Sequence, residues 1–157
     1  MAVTKNKSID TIQATRKLFL KLIDGLSIDQ LNQVPEGFNN NIIWNFGHVI
    51  VSQQILCYKL AALPLRIDET FISRYVKGTK PETFIDENEL AFLKQKAVSF
   101  IEELVADMEK GIFINYNTYT TSFDVELTSV DDAVKFLCMH EGLHLGYAMA
   151  IKRIVNK

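Results

Sequence analysis

The chain of 157 residues has the length of one ordinary domain, long enough to bury a core without staples and too short for two domains of normal size. With 48% hydrophobic and 23% charged residues, three prolines and seven glycines, it has the make-up of a soluble globular protein and argues against disorder or repeats. A formal charge of −2, a pI near 5.9 and scattered lysines leave no basic stripe for nucleic acid.

The first predicted helix runs from about Ser8 to Asp24, with Ile9, Ile12, Phe19 and Ile23 on one stripe, Ser8 as its cap and Gly25 as its stop. A short helical turn is expected from Ile28 to Gln33, before Pro35, Gly37 and the asparagines Asn39, Asn40 and Asn41 break the pattern. A second long helix should run from about Asn41 to Ala62, ended by Pro64, with an inward stripe of Trp44, His48, Val51, Ile55 and Tyr58. Asn45, His48, Gln53, Gln54 and Lys59 interrupt this apolar stretch, so it reads as a buried amphipathic helix and not as a membrane span. Arg66 to Thr83, with Gly78 and Pro81, reads as a polar linker. The third long helix opens with a capping box of Asp86 and Glu89, buries Leu90, Leu93, Ala97, Phe100, Leu104 and Met108, and ends at Gly111.

From Ile112 to Leu127 the aromatics and threonines show no helical period, which predicts a loop with short extended pieces. A cap at Thr128 or Ser129, followed by Asp131 and Asp132, starts the last helix, and Lys152, Arg153 and Lys157 complement its dipole at the other end. The expected architecture is one domain over residues 1–157, an all-α four-helix bundle of about 60% helix. Cys57 and Cys138 form no CxxC pair, and the start, Met1 to Asp10, is followed by no apolar run. A cytoplasmic protein without disulfides, signal peptide or membrane anchor is therefore expected.

The last helix carries the anomaly. Its apolar stripe reads Ala133, Leu137, His140, His144, Ala148 and Ile151, so two imidazoles stand on successive turns of what should be core. Residues four apart on a helix have Cβ atoms about 5–6 Å apart, close enough for two imidazole nitrogens to meet at one ion. His48 lies on the inward stripe of another helix, and these are the only three histidines in the chain. Each alone could be a core histidine satisfied by a hydrogen bond. Three together are better explained by one divalent ion, which satisfies all of them where protonated imidazoles would repel. Zinc, nickel, iron or manganese would suit such ligands, and binding should weaken as pH falls through the histidine range near about 6.5.

His140-Glu141-Gly142-Leu143-His144 also fits the HExxH pattern of zinc proteases, with the glutamate as base. Only thirteen residues follow His144, none of them His, Asp, Glu or Cys, so the downstream third ligand of those enzymes is missing. Glu141 reads either as a partner or proton acceptor beside the ion, and thus a candidate catalytic residue, or as half of a surface salt bridge. Gly142 suggests close packing or access to the site. Trp44, Tyr116, Tyr119 and Tyr147 either line a substrate pocket or pack in core and loop.

The tract Asn45-Phe46-Gly47-His48 and the closing run MHEGLHLGYAMAIKR from Met139 to Arg153 resemble the DinB/YfiT-like superfamily of metal-dependent four-helix proteins. The resemblance covers nearly the whole chain in helix order and spacing. It implies a nickel, zinc or similar ion on His48, His140 and His144 with water in the remaining positions, and a homodimer. It also implies a small-molecule substrate, with transfer of a low-molecular-weight thiol as the activity of some members. A metal-dependent hydrolase and a non-catalytic, metal-stabilised dimer are the alternatives. No nucleic-acid or membrane partner is expected.

Overall fold

A computed structural model describes residues 6–157. The reading of Met1 to Lys5 as free of a leader lies outside the described residues. Helices α1 (Lys7–Asp24), α3 (Ile42–Gln53), α5 (Glu87–Glu109) and α6 (Val130–Val155) are the long elements. Two short helices, α2 (Ile28–Asn32) and α4 (Glu69–Tyr75), and a two-stranded hairpin, β1 (Tyr119–Thr120) with β2 (Glu126–Leu127), complete the order. The chain is 64% helical, as the periodicity demands. Helices α1 and α3 each pack against both α5 and α6, which makes a four-helix bundle with α1 and α3 at opposite corners. No helix among the described residues is long and apolar enough to cross a membrane.

Local chemistry sets the helix ends. Asn6, not Ser8, caps α1, its side-chain oxygen accepting from the amides of Ser8 and Ile9, so the cap lies two residues earlier than expected. Asn41 caps α3, Asp86 caps α5 and Ser129 caps α6, each accepting from an amide three residues on. The capping box at Asp86 is only half made, because the Glu89 carboxylate is taken by the Tyr75 hydroxyl and by Arg74. Gly111 lies just past α5 at φ 66°, a left-handed position that favours glycine.

Every residue of α3 is buried, polar ones included, so it is the central helix rather than a one-sided amphipathic one. At Gln54 it passes into a π-helical segment, Gln54–Lys59, and it does not continue as α-helix to Ala62. The Tyr116 hydroxyl donates to the Leu56 carbonyl at 2.8 Å and the Asn117 amide to that of Leu60, which ties the loop after α5 to this segment.

The stretch read as a polar linker contains α4, capped by Asp68 and pinned to the bundle by Ile72 and Tyr75. A Cβ placed on Gly47 would come within 2.4 Å of the Tyr75 ring, so the glycine admits that ring against the backbone of α3. Tyr75 is buried and its hydroxyl is tied to Glu89, so it has little room to yield. Gly47→Ala is expected to cost about 1–3 kcal/mol through overpacking, read as a lower midpoint in urea unfolding. An unchanged midpoint would show that α4 moves aside freely.

Candidate metal centre

His48 projects from the middle of α3, and His140 and His144 from successive turns of α6. One ring nitrogen of each lies within 4.8 Å of the others, a group that could hold a metal ion. His48 Nε2 stands 3.2 Å from His140 Nε2, and the ring centroids of all three are 4.5–5.1 Å apart pairwise. The convergence expected from the sequence is therefore present.

Two tautomers follow from the surroundings. His48 Nδ1 lies 2.6 Å from the Tyr75 carbonyl oxygen, which only accepts, so Nδ1 carries the proton and Nε2 presents a lone pair to the cluster. His144 Nδ1 lies 2.8 Å from Asn45 Oδ1. The orientation of that amide is fixed because its nitrogen donates both to Asn40 Oδ1 at 2.9 Å and to the Asn41 carbonyl at 2.8 Å. His144 is thus also held with Nδ1 protonated and Nε2 free. His140 has no such guide: its Nδ1 is buried without a hydrogen-bond partner. Two preset lone pairs beside a third imidazole fit a divalent ion, and the outer hydrogen bonds are of the kind that orient metal-binding histidines.

Burial keeps these rings neutral. Desolvation lowers the pKa of His48; it pushes His140 down to about 4 and His144 to about 3, with further lowering by neighbouring imidazoles. The expected pH window changes accordingly. In the folded protein, protons compete for the His140 and His144 nitrogens only as pH approaches about 4 and about 3, and burial moves His48 in the same direction. In the unfolded chain the same groups protonate near about 6.5. Because the folded values are depressed, the stability these groups contribute is present above about 6.5 and is lost as pH falls toward about 4 and 3. Metal-free protein is expected to lose unfolding free energy across that interval while metal affinity at pH 6 stays close to that at pH 7.5. A metal-binding midpoint near 6.5 would refute the buried, neutral arrangement.

A cleft of about 510 Å³ opens onto the histidines. Trp44 and Tyr119 line it, and Trp44 stacks on His48 at 4.8 Å and 9° while its indole N–H donates to Thr79 Oγ1 at 3.1 Å. Tyr116 and Tyr147 do not line it. Tyr116 holds the Leu56 carbonyl, and Tyr147 packs edge-on against Phe38 at 5.4 Å with 43% of its surface exposed.

Glu141 requires a correction. It is fully buried, and both carboxylate oxygens are taken by Arg16, whose Nη2 lies 2.7 Å from Oε1. It is therefore neither a surface salt bridge nor a free base at the histidine cluster. The offset of about 100° from His140 turns it toward α1. Gly142 is exposed and nothing lies within 4 Å of a Cβ built on it, so close packing does not explain it.

The family model of the DinB superfamily matches residues 11–148, a span that takes in all three histidines. The chain belongs to the DinB superfamily. Among curated proteins no match is found. The DinB assignment accords with the helical bundle, and in this DinB chain the outer partners Asn45 and Tyr75 went unrecognised in the sequence. Asn45 had a signal, an amide one turn before His48 among the apolar residues Ile42, Ile43, Trp44 and Phe46. The Tyr75 contribution is a backbone carbonyl and has none.

Proposed function

We propose that this DinB-superfamily protein is a metal-dependent transferase that joins a low-molecular-weight thiol to an electrophilic small molecule, with one zinc, nickel, iron or manganese ion on His48, His140 and His144. The observation that carries the reading is the three-histidine group at the base of an open cleft of about 510 Å³, a size that suits small molecules. Three protein ligands leave coordination positions free, as catalytic sites do and closed structural sites do not. A bound divalent ion would supply charge that holds a thiol as thiolate near neutral pH. His48 and His144 keep their Nε2 lone pairs aimed through Tyr75 and Asn45. Trp44 closes one side of the cleft against His48. No Asp or Glu lines the cleft, so the thiol proton would pass to water at its mouth, while the sulfur bonds the electrophilic carbon as that carbon's bond to its leaving group breaks and the leaving group departs with the electron pair.

Cys57 and Cys138 are unpaired, which suits a reducing cytoplasm, and burial raises the Cys57 thiol to about 12, so it offers no competing thiolate. Self-association is favoured by an exposed face of α6 carrying Met139, Leu143, Tyr147 and Ile154, which a second copy would cover.

Metal-loaded protein is expected to turn over an electrophile only when a small thiol is present, and His48→Ala to abolish that turnover. Turnover without thiol would replace this reading with a hydrolase. Loss of stability on metal removal, with neither activity, would leave a metal-stabilised dimer.

A further inference from the structure

The walls of the histidine cleft differ in character. The connection between α4 and α5 supplies Val76, Lys77 and Gly78, and the hairpin with α6 supplies Tyr119, Phe123 and Phe136. Lys77 is the one side chain of the lining with a formal charge, and no carboxylate accompanies it. The nearest acids along the chain from the opposite wall, Asp124 and Glu141, lie outside the lining, and Glu141 is already paired with Arg16. Lys77 is exposed and enters no ion pair among the described residues.

Its backbone is nevertheless held in place. The turn from Val76 to Thr79 closes through the Thr79 amide on the Val76 carbonyl at 3.1 Å, with Gly78 at φ 90°. Thr79 Oγ1 receives the Trp44 indole N–H, and the Tyr75 carbonyl receives His48. The lysine is thus mounted on the same short segment that orients the cluster. Across the cleft, Phe123 and Phe136 meet edge-on at 6.0 Å, Phe136 lies 5.8 Å from the His140 ring, and Phe123 and Tyr119 remain 49% and 40% exposed. One cleft thus combines a single cation with aromatic surface left uncovered.

We propose that this cleft selects a small organic anion with a flat apolar body, Lys77 meeting the anionic group while Tyr119, Phe123 and Phe136 cover the body. The proposal rests on the reading of the cleft as the substrate site. A cation would meet Lys77 with no acid to offset it, and a neutral molecule would gain nothing from the lysine.

Trp44, the single tryptophan of the chain, lines the cleft and reports binding directly. Benzoate, benzamide and benzylamine are titrated into metal-free and zinc-loaded protein at pH 7.5 while its fluorescence is followed. Benzoate is expected to bind most tightly in both forms. Lys77→Gln should weaken benzoate about fivefold, leave benzamide unchanged, and be rescued by Lys77→Arg. Equal affinity for benzoate and benzamide in metal-free protein would overturn the proposal. So would an unchanged benzoate affinity in Lys77→Gln, or equal weakening of both ligands, which would mark Lys77 as packing only. Thiol-dependent turnover is scored separately. Its absence beside an intact Lys77-dependent preference defeats the transferase reading alone, and its presence without that preference defeats only the assignment to Lys77.

Discussion

Replacing Arg16 by leucine is expected to destabilise the protein by about 3–5 kcal/mol, the cost of leaving one member of a buried ion pair without its partner. Arg16 and Glu141 are 2% and 0% exposed, so little solvent reaches either to soften the loss. The guanidinium also donates through Nη1 to the Ala97 carbonyl at 2.9 Å, so one side chain ties α1 to both α5 and α6. Desolvation raises the Glu141 pKa and Arg16 opposes it. Without the arginine the carboxyl would take up a proton rather than stay charged in the core. The double variant Arg16→Leu with Glu141→Leu should recover much of the stability, because no uncompensated charge is then left. Urea unfolding of the single and double variants checks both. A single variant that loses less than about 1 kcal/mol would show that water reaches the pair.

His144→Ala should abolish stoichiometric metal binding, measured as metal content after desalting. The variant keeps only two imidazoles, and the remaining pair includes His140, whose Nδ1 has no partner to set its tautomer. Asn45→Ala provides the graded comparison. It leaves all three imidazoles but frees the His144 ring, and a loss of about 10–100-fold in metal affinity is expected, as for other outer hydrogen-bond partners. Competition titration against a chelating dye would resolve the two. Full occupancy in His144→Ala would remove that residue from the centre, and unchanged affinity in Asn45→Ala would mean that packing alone holds the ring.

The long helices and the meeting of the histidines were legible because both follow from spacing. Apolar residues at helical intervals predict α1, α3, α5 and α6, and His48, His140 and His144 fall on those stripes. The Arg16–Glu141 pair was equally visible in principle. Arg16 lies on the α1 stripe between Ile12 and Phe19, and Glu141 on a second α6 stripe with Val134, Leu137, Leu145 and Ala148. Assigning α6 one inward face hid the second, which packs on α1. Helix α4 escaped because seven residues give too little period to stand out, although Asp68 was a possible cap. The roles of Tyr116 and Tyr147 depend on which carbonyl or ring lies opposite, and that is a tertiary fact.

The π-helical segment Gln54–Lys59 ends the run begun by α3 in wider turns. A π turn accommodates one residue more than an α-helical turn, so side chains within the segment point up to about 100° away from where a continued α-helix would put them. Helix α3 sets His48 toward α6, and the π-helical segment that follows sets Cys57 and Tyr58 into the second part of the core. Deleting a single residue between Gln54 and Lys59 would bring the segment back toward an ordinary helix and turn Tyr58 away from the interior. Chain length within this segment therefore decides how the part of the core around the histidines is joined to the part around Tyr58.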